Sequence, residues 1–133
     1  MVNKSKKILS EISVGELLDK ISILEIKLEK ISNKNDKEEI NKEYKILKNI
    51  ENSTIESTDK VKDLFKLLKE TNINLWNVED KIRICEKNKD FGKNFIELAR
   101  EVYFTNDKRS KIKSEINELL GSNIKEVKQY VNY

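Results

Sequence analysis

The apolar residues of this chain recur at alternating steps of three and four, and that period dictates what it can fold into. Val14, Leu17, Ile21, Leu24, Leu28 and Ile31 form one such series, a coiled-coil-like helical seam. Val61, Leu64, Leu68, Leu75, Val78, Ile82 and Cys85 form another, with Thr71 as its polar member. Phe91, Phe95, Leu98, Val102, Ile112, Ile116 and Leu119 make a third. Proline is absent and glycine occurs only three times, so turn-rich β architectures lack the residues they need. The reading is all-α.

Local signals divide the chain. Ser13-x-x-Glu16 is a capping box, in which each side chain satisfies the other residue's free amide, and it opens a helix that ends near Ser32–Asn35. Asp36-x-x-Glu39 opens a second helix, whose stripe of Ile40, Tyr44, Leu47 and Ile50 is thin. Residues 51–57, rich in Ser, Thr and Asn, read as a loop and as the best candidate for a mobile connection. A third helix begins near Thr58 or Asp59, with poor helix formers at Thr71–Asn74 that admit a break. The Lys87–Asp90 segment and Gly92 mark a turn, the fourth helix starts around Asp90, and Gly121 stops it as a C′ residue. Asn123-x-x-Glu126 would start a short final helix carrying Val127, Tyr130 and Tyr133. Helices three and four, at about 30 residues and ~45 Å each, should run antiparallel across their short turn. The expected fold is an antiparallel helical bundle, a long hairpin over residues ~58–120 covered by two shorter helices. Residues 1–133 form a single helical domain, with 1–12 as a frayed or extended lead-in.

Composition removes several function classes. Charged residues make up 38% of the chain and hydrophobic ones 37%, which suits thin helices with solvated faces. A net charge of +3, with no basic block interleaved with aromatics, argues against nucleic acid as a partner. No apolar run approaches the ~20 residues needed to span a bilayer, and Ser10 and Glu11 interrupt the stretch that a signal peptide would require. The lone Cys85 excludes an internal disulfide and fits a reducing compartment. A cytoplasmic protein without a membrane partner is expected.

One stretch of the third stripe stops being apolar. Beyond Val102 its register requires apolar residues near 105–106 and 109, and the sequence supplies Thr105, Asn106 and Arg109. Glu79, Asp80 and Arg83 lie beside the stripe of the third helix, one turn after Trp76, the only tryptophan. Abundant Lys, Asn and Ile suggest an AT-rich genome, which makes the rarer Arg83, Arg100 and Arg109 informative. A guanidinium offers a planar fork of donors that binds carboxylate or phosphate in bidentate fashion and tolerates partial burial. Ala99, the only alanine, fits a close helix approach. By helical spacing, Arg100, Tyr103 and Asp107 share one face, and Asn106, Arg109 and Lys113 a neighbouring one. Two readings stay open for this group. It is a buried network that sets helix register, or it is a site for an anionic small molecule or a carboxylate-bearing partner, built from Trp76, Glu79, Arg83, Arg100, Tyr103, Asn106, Asp107 and Arg109.

Catalytic constellations are sparse. With no histidine, Ser-His and Cys-His pairs are excluded and zinc is disfavoured. Cys85 falls in the apolar register, as a small core residue does. Glu16-x-x-Asp19 and Glu25 have the spacing to hold Mg²⁺ with a phosphate substrate. All-α nucleotide pyrophosphohydrolases pair such a motif with an upstream acidic helix, and nothing upstream of Glu16 supplies one; Glu38-Glu39-x-x-x-Glu43 lies downstream at a different spacing. No catalytic residue, metal or cofactor is assigned. What stays open to an enzyme is electrostatic catalysis on an anion, as in helical chorismate mutases, whose sequence pattern is not found here.

Three segments, Ser13–Lys27 (SVGELLDKISILEIK), Asn74–Arg83 (NLWNVEDKIR) and Phe95–Asn117 (FIELAREVYFTNDKRSKIKSEIN), together with Tyr130 and Tyr133, resemble an uncharacterised family of short bacterial and viral proteins, domain-of-unknown-function family 6165. The resemblance implies a small helical protein and carries no activity, substrate or cofactor. It includes all three arginines, while residues 34–70 look generic. From the residues themselves, a non-enzymatic protein-interaction or self-associating module is the first expectation. A binding protein or enzyme for an anionic ligand is the second.

Overall fold

A computed structural model describes residues 6–133. Among these residues there are four helices and no strand: α1 (Val14–Lys30), α2 (Lys34–Thr54), α3 (Asp59–Lys87) and α4 (Lys93–Leu120). The lead-in is non-helical and exposed over residues 6–12, and its expected first five residues lie outside the described part. At 29 and 28 residues, α3 and α4 form the long antiparallel hairpin, roughly 43 Å from end to end. α1 packs against both of them and against α2, whereas α2 rests on α1 alone. The hairpin is thus covered directly by α1, and α2 forms an outer layer with no buried residue.

Several boundaries differ from the sequence reading, each for a local reason. Ser13 caps α1, accepting from the Glu16 amide at 3.1 Å, but the reciprocal half of the box is missing because the Glu16 carboxylate pairs with Lys113 instead. α1 ends at Lys30. The cap of α2 lies three residues before the expected one, since Asn33 rather than Asp36 takes that position and accepts from the Asp36 amide at 3.0 Å. Its last turn reaches Thr54, where the Ser53 and Thr54 hydroxyls bond back to the Ile50 carbonyl, so the expected loop at 51–57 shrinks to 55–58. α3 is capped by Thr58 as expected and runs through Thr71–Asn74 without a break. Packing outweighs propensity there: Thr71 bonds the Leu67 carbonyl, and Asn72 is buried on a partner in α1. α4 begins at Lys93 rather than near Asp90, leaving Phe91 half exposed in the turn.

Gly121 terminates α4 at φ +62°, the left-handed conformation that glycine adopts without a Cβ penalty. The short helix expected from Asn123 does not form, and residues 123–133 run non-helically back beside α4. Ser122 turns inward instead, accepting from the Val14 amide at 3.1 Å and donating to the Ile124 carbonyl at 2.6 Å. The free N-terminal amides of α1 are therefore satisfied within the chain: Val14 by Ser122, Gly15 by the Asn117 side chain at 2.7 Å, and Glu16 by Ser13. The approach of α1 to α4 is so close at Gly15 that a Cβ there would stand 2.6 Å from the Lys113 carbonyl oxygen.

The interior holds two apolar clusters. Leu17, Leu18, Ile21, Val61, Leu68, Ile112 and Ile116 join α1 to the base of the hairpin. Val78, Cys85 and Leu98, with Ile82, Phe95 and Val102, join α3 to α4 farther along. Each fully buried aliphatic side chain contributes about 1.5–3 kcal/mol. Cys85 belongs to the second cluster, where the Asn94 amide donates to its sulfur at 3.7 Å. No helix among the described residues is long and apolar enough to cross a membrane.

Candidate functional site

The polar interruption of the stripes falls between the two apolar clusters, and α1 supplies its centre. Asp19 is fully buried. Its Oδ1 accepts from Asn72 Nδ2 at 2.9 Å and from Arg109 Nε at 2.9 Å, while Arg109 Nη2 donates to Oδ2 in a second, parallel bond. Asn72 Nδ2 also donates to Ser22 Oγ at 2.8 Å, and Ser22 in turn donates to the Asp19 carbonyl. Lys113, one helical turn beyond Arg109, pairs with Glu16 at 2.7 Å and Glu126 at 3.2 Å and stands 3.9 Å from Asp19. Among the described residues no buried side-chain nitrogen or oxygen lacks a partner. A buried charge is tolerated only when paired and fully bonded, and this layer meets that condition.

The electrostatics follow from the pairing. The bidentate bond to Asp19 raises the Arg109 guanidinium above its ordinary value, against the cost of burial. For Lys113 burial works downward, and the Glu16, Asp19 and Glu126 carboxylates outweigh it and raise the ammonium. Glu126 is lowered, chiefly by its hydrogen bond from Lys113. Glu16 and Asp19, considered above as metal ligands, each hold a cationic side chain, and no group of three potential metal ligands occurs among the described residues.

On one flank this layer opens into a cleft of about 370 Å³ bounded by α1 and α3, with Arg109 of α4 at its edge. Ile23 and Ile26 of α1 face Leu75 and Trp76 of α3, and Asn72, Glu79, Asp80, Arg83 and Arg109 complete the wall. Four of the eight residues singled out in the sequence therefore meet: Trp76, Glu79, Arg83 and Arg109. The other four do not join them. Arg100, Tyr103, Asn106 and Asp107 line a second, wider depression of about 910 Å³ between α4 and the segment 128–133. There Arg100 sits 5.7 Å over the Phe104 ring, and the Tyr133 hydroxyl donates to Asp107. Tyr133 also packs edge-on against Tyr103 and Phe104, with ring centres 5.5 and 5.2 Å away.

The charges in the cleft are already matched, with one exception. Arg109 belongs to Asp19. Arg83, an exposed side chain, donates from Nη1 to the Glu79 carboxylate at 2.6 Å and to the Glu79 carbonyl at 3.0 Å. Asp80, exposed one turn after Trp76, has no ion-pair partner among the described residues. Of the four charged side chains that line the opening, Arg109 and Arg83 are held by Asp19 and Glu79, which leaves the Asp80 carboxylate without an ion-pair partner among the described residues. An aromatic face, three aliphatic side chains and one unmatched carboxylate form a wall suited to a cation carried on an apolar body.

Residues 8–133 match a family of unknown function, DUF6165. The chain belongs to this family. No curated protein matches the sequence significantly, and no solved structure does either. The DUF6165 match takes in the whole polar layer and the Trp76 cleft, including Asp19, Ser22, Asn72 and Lys113, which were not assigned to a site from the sequence. One signal for them was present. Leu18, Ser22 and Ile26 lie off the first stripe at steps of four and mark a second buried row on α1, with Asp19 on its far border.

Proposed function

We propose that this DUF6165 protein is a helical binding module without catalytic chemistry, which captures a cationic, amphipathic segment of a protein partner in the Trp76 cleft. The observation that carries this reading is the charge balance at the opening. Arg109 and Arg83 are neutralised by Asp19 and Glu79, and Asp80 beside the indole is not. A lysine or arginine side chain laid across Trp76 gains about 0.5–2 kcal/mol from the ring face and up to about 1 kcal/mol from Asp80. Aliphatic side chains of the partner laid on the half-buried Ile23 and Leu75 add at most about 1.5–3 kcal/mol each, the value for complete burial. Association and ordering costs of several kcal/mol offset much of this, so the expected dissociation constant is on the order of 0.1–1 mM.

A thermal-shift screen tests the reading, because a ligand that binds only the folded chain raises its melting temperature by mass action. Short Lys/Leu peptides should raise it by a few degrees at millimolar concentration, and the shift should disappear in Asp80→Lys. Stabilisation by phosphorylated sugars, nucleotides or carboxylates, with none from the cationic peptides, would replace this reading with an anion site.

A further inference from the structure

The chemistry that the cleft accepts is also present in the chain itself. The lead-in reads Lys6-Lys7-Ile8-Leu9, two cations followed by two aliphatic side chains. Ile8 is 88% and Leu9 93% exposed, among the most exposed large apolar residues described. Two adjacent aliphatics beside two lysines match the cleft wall in chemistry, and the Asp80 carboxylate, without an ion-pair partner among the described residues, offers the opposite charge.

The Ile8-Leu9 part of this segment cannot reach the cleft of its own chain. It is anchored at the opposite end of α1: Ser13 caps the helix, and Glu11 accepts from Asn123 Nδ2 at 2.7 Å, at the end where α4 stops. Ile23 and Ile26 lie ten to thirteen residues further along α1, about 15–20 Å away at the helical rise. From Glu11, Leu9 is two residues removed and reaches at most ~7 Å. A second copy has no such restriction.

We infer that two copies of this chain exchange their lead-ins, each placing Lys6–Leu9 in the Trp76 cleft of the other. This rests on the cleft's preference for cationic, amphipathic segments proposed above, and it names the occupant. Because segment and cleft sit at opposite ends of α1, a twofold axis across that helix closes both contacts at once. Two weak contacts made together then bind more tightly than either alone. Ile8 and Leu9 meet the half-buried Ile23 and Leu75, and a lysine lies between Trp76 and Asp80.

Sedimentation velocity over a concentration series, read beside Trp76 fluorescence, tests the exchange. The expected result is a monomer–dimer equilibrium in the micromolar range. The exposed double substitution Ile8→Asp/Leu9→Asp should make the chain monomeric with an unchanged thermal melt, and Asp80→Lys should weaken the dimer at least tenfold. Lys6→Glu/Lys7→Glu combined with Asp80→Lys should restore it. A dimer that persists unchanged in Ile8→Asp/Leu9→Asp would overturn the exchange. So would a monomeric chain whose Trp76 emission still responds to a separate peptide of residues 6–13; that outcome leaves the cationic-segment reading intact and assigns the cleft to another protein. A monomer insensitive both to this peptide and to Lys/Leu peptides would overturn the two together.

Discussion

Arg109 and Asp19, 90 positions apart in sequence, meet in a two-pronged ion pair with the aspartate side chain 1% exposed. Nε donates to one carboxylate oxygen at 2.9 Å and Nη2 to the other, and Asn72 completes the first. This pair joins α1 to α4 at the level where the apolar clusters give way to polar side chains. It also removes from the cleft the positive charge that Arg109 would otherwise present.

Breaking the pair from one side leaves the other charge buried and unmatched. Asp19→Ala should cost about 3–5 kcal/mol of stability, measured by urea unfolding. Replacing both partners, as in Asp19→Leu with Arg109→Leu, should recover much of that loss. Arg109→Lys keeps the charge but cannot form the parallel bonds, and should cost about 1–3 kcal/mol. Arg100→Lys, on the surface over Phe104, should stay within about 0.5 kcal/mol of the parent. An Arg109→Lys variant of parental stability would show that the layer does not hold the helices.

The contact between Gly15 and α4 makes a second, purely steric prediction. A methyl group at Gly15 meets a backbone carbonyl at 2.6 Å, which cannot rotate away as a side chain would. Gly15→Ala should therefore destabilise by about 1–3 kcal/mol despite its better helix propensity. Asn117→Ala should cost a similar amount, about 1–3 kcal/mol, because it strands the buried Gly15 amide. A gain in stability for Gly15→Ala would contradict the packing described.

These two contacts mark where the sequence was legible and where it was not. The stripes at Val61–Cys85 and Phe95–Ile116 repeat often enough to place the hairpin, and the failure of the stripe at Thr105 and Arg109 located the polar layer. Asp19 was harder to place, because a carboxylate on a helix is solvated unless a partner 90 residues away says otherwise. Arg83, Arg100 and Arg109 are equally rare and equally placed by period, yet only two share a cleft. What Arg100 meets on its side of α4 depends on the path of residues 123–133, where capping by Ser122 overrode a plausible helix start. The extent of α2 turned on hydroxyl back-bonding near Ile50, which a polar composition alone reads as loop.

Lys113 and Glu126 predict how the segment after α4 responds to acid. The Glu126 carboxyl lies below its usual 4.5 because the folded chain stabilises its charged form. For a lowered acid, the contribution to stability is complete above that usual value and is lost as pH falls through the folded value. Unfolding free energy should thus decline below about pH 4.5, with part of the decline assigned to Glu126. Glu126→Gln should be less stable at neutral pH and should show a shallower acid slope. Equal slopes in the two proteins would remove the pair from the account.

The single tryptophan makes the cleft directly observable. Titrating a Lys/Leu peptide and a Glu/Leu peptide of the same length against Trp76 emission compares the two charge classes at one site. The expected result is a saturable change with the cationic peptide, on the order of 0.1–1 mM, little response to the acidic one, and reversal of that preference in Asp80→Lys. Tighter binding of the acidic peptide by the parent chain would contradict it, since the two guanidiniums would then be available despite Asp19 and Glu79.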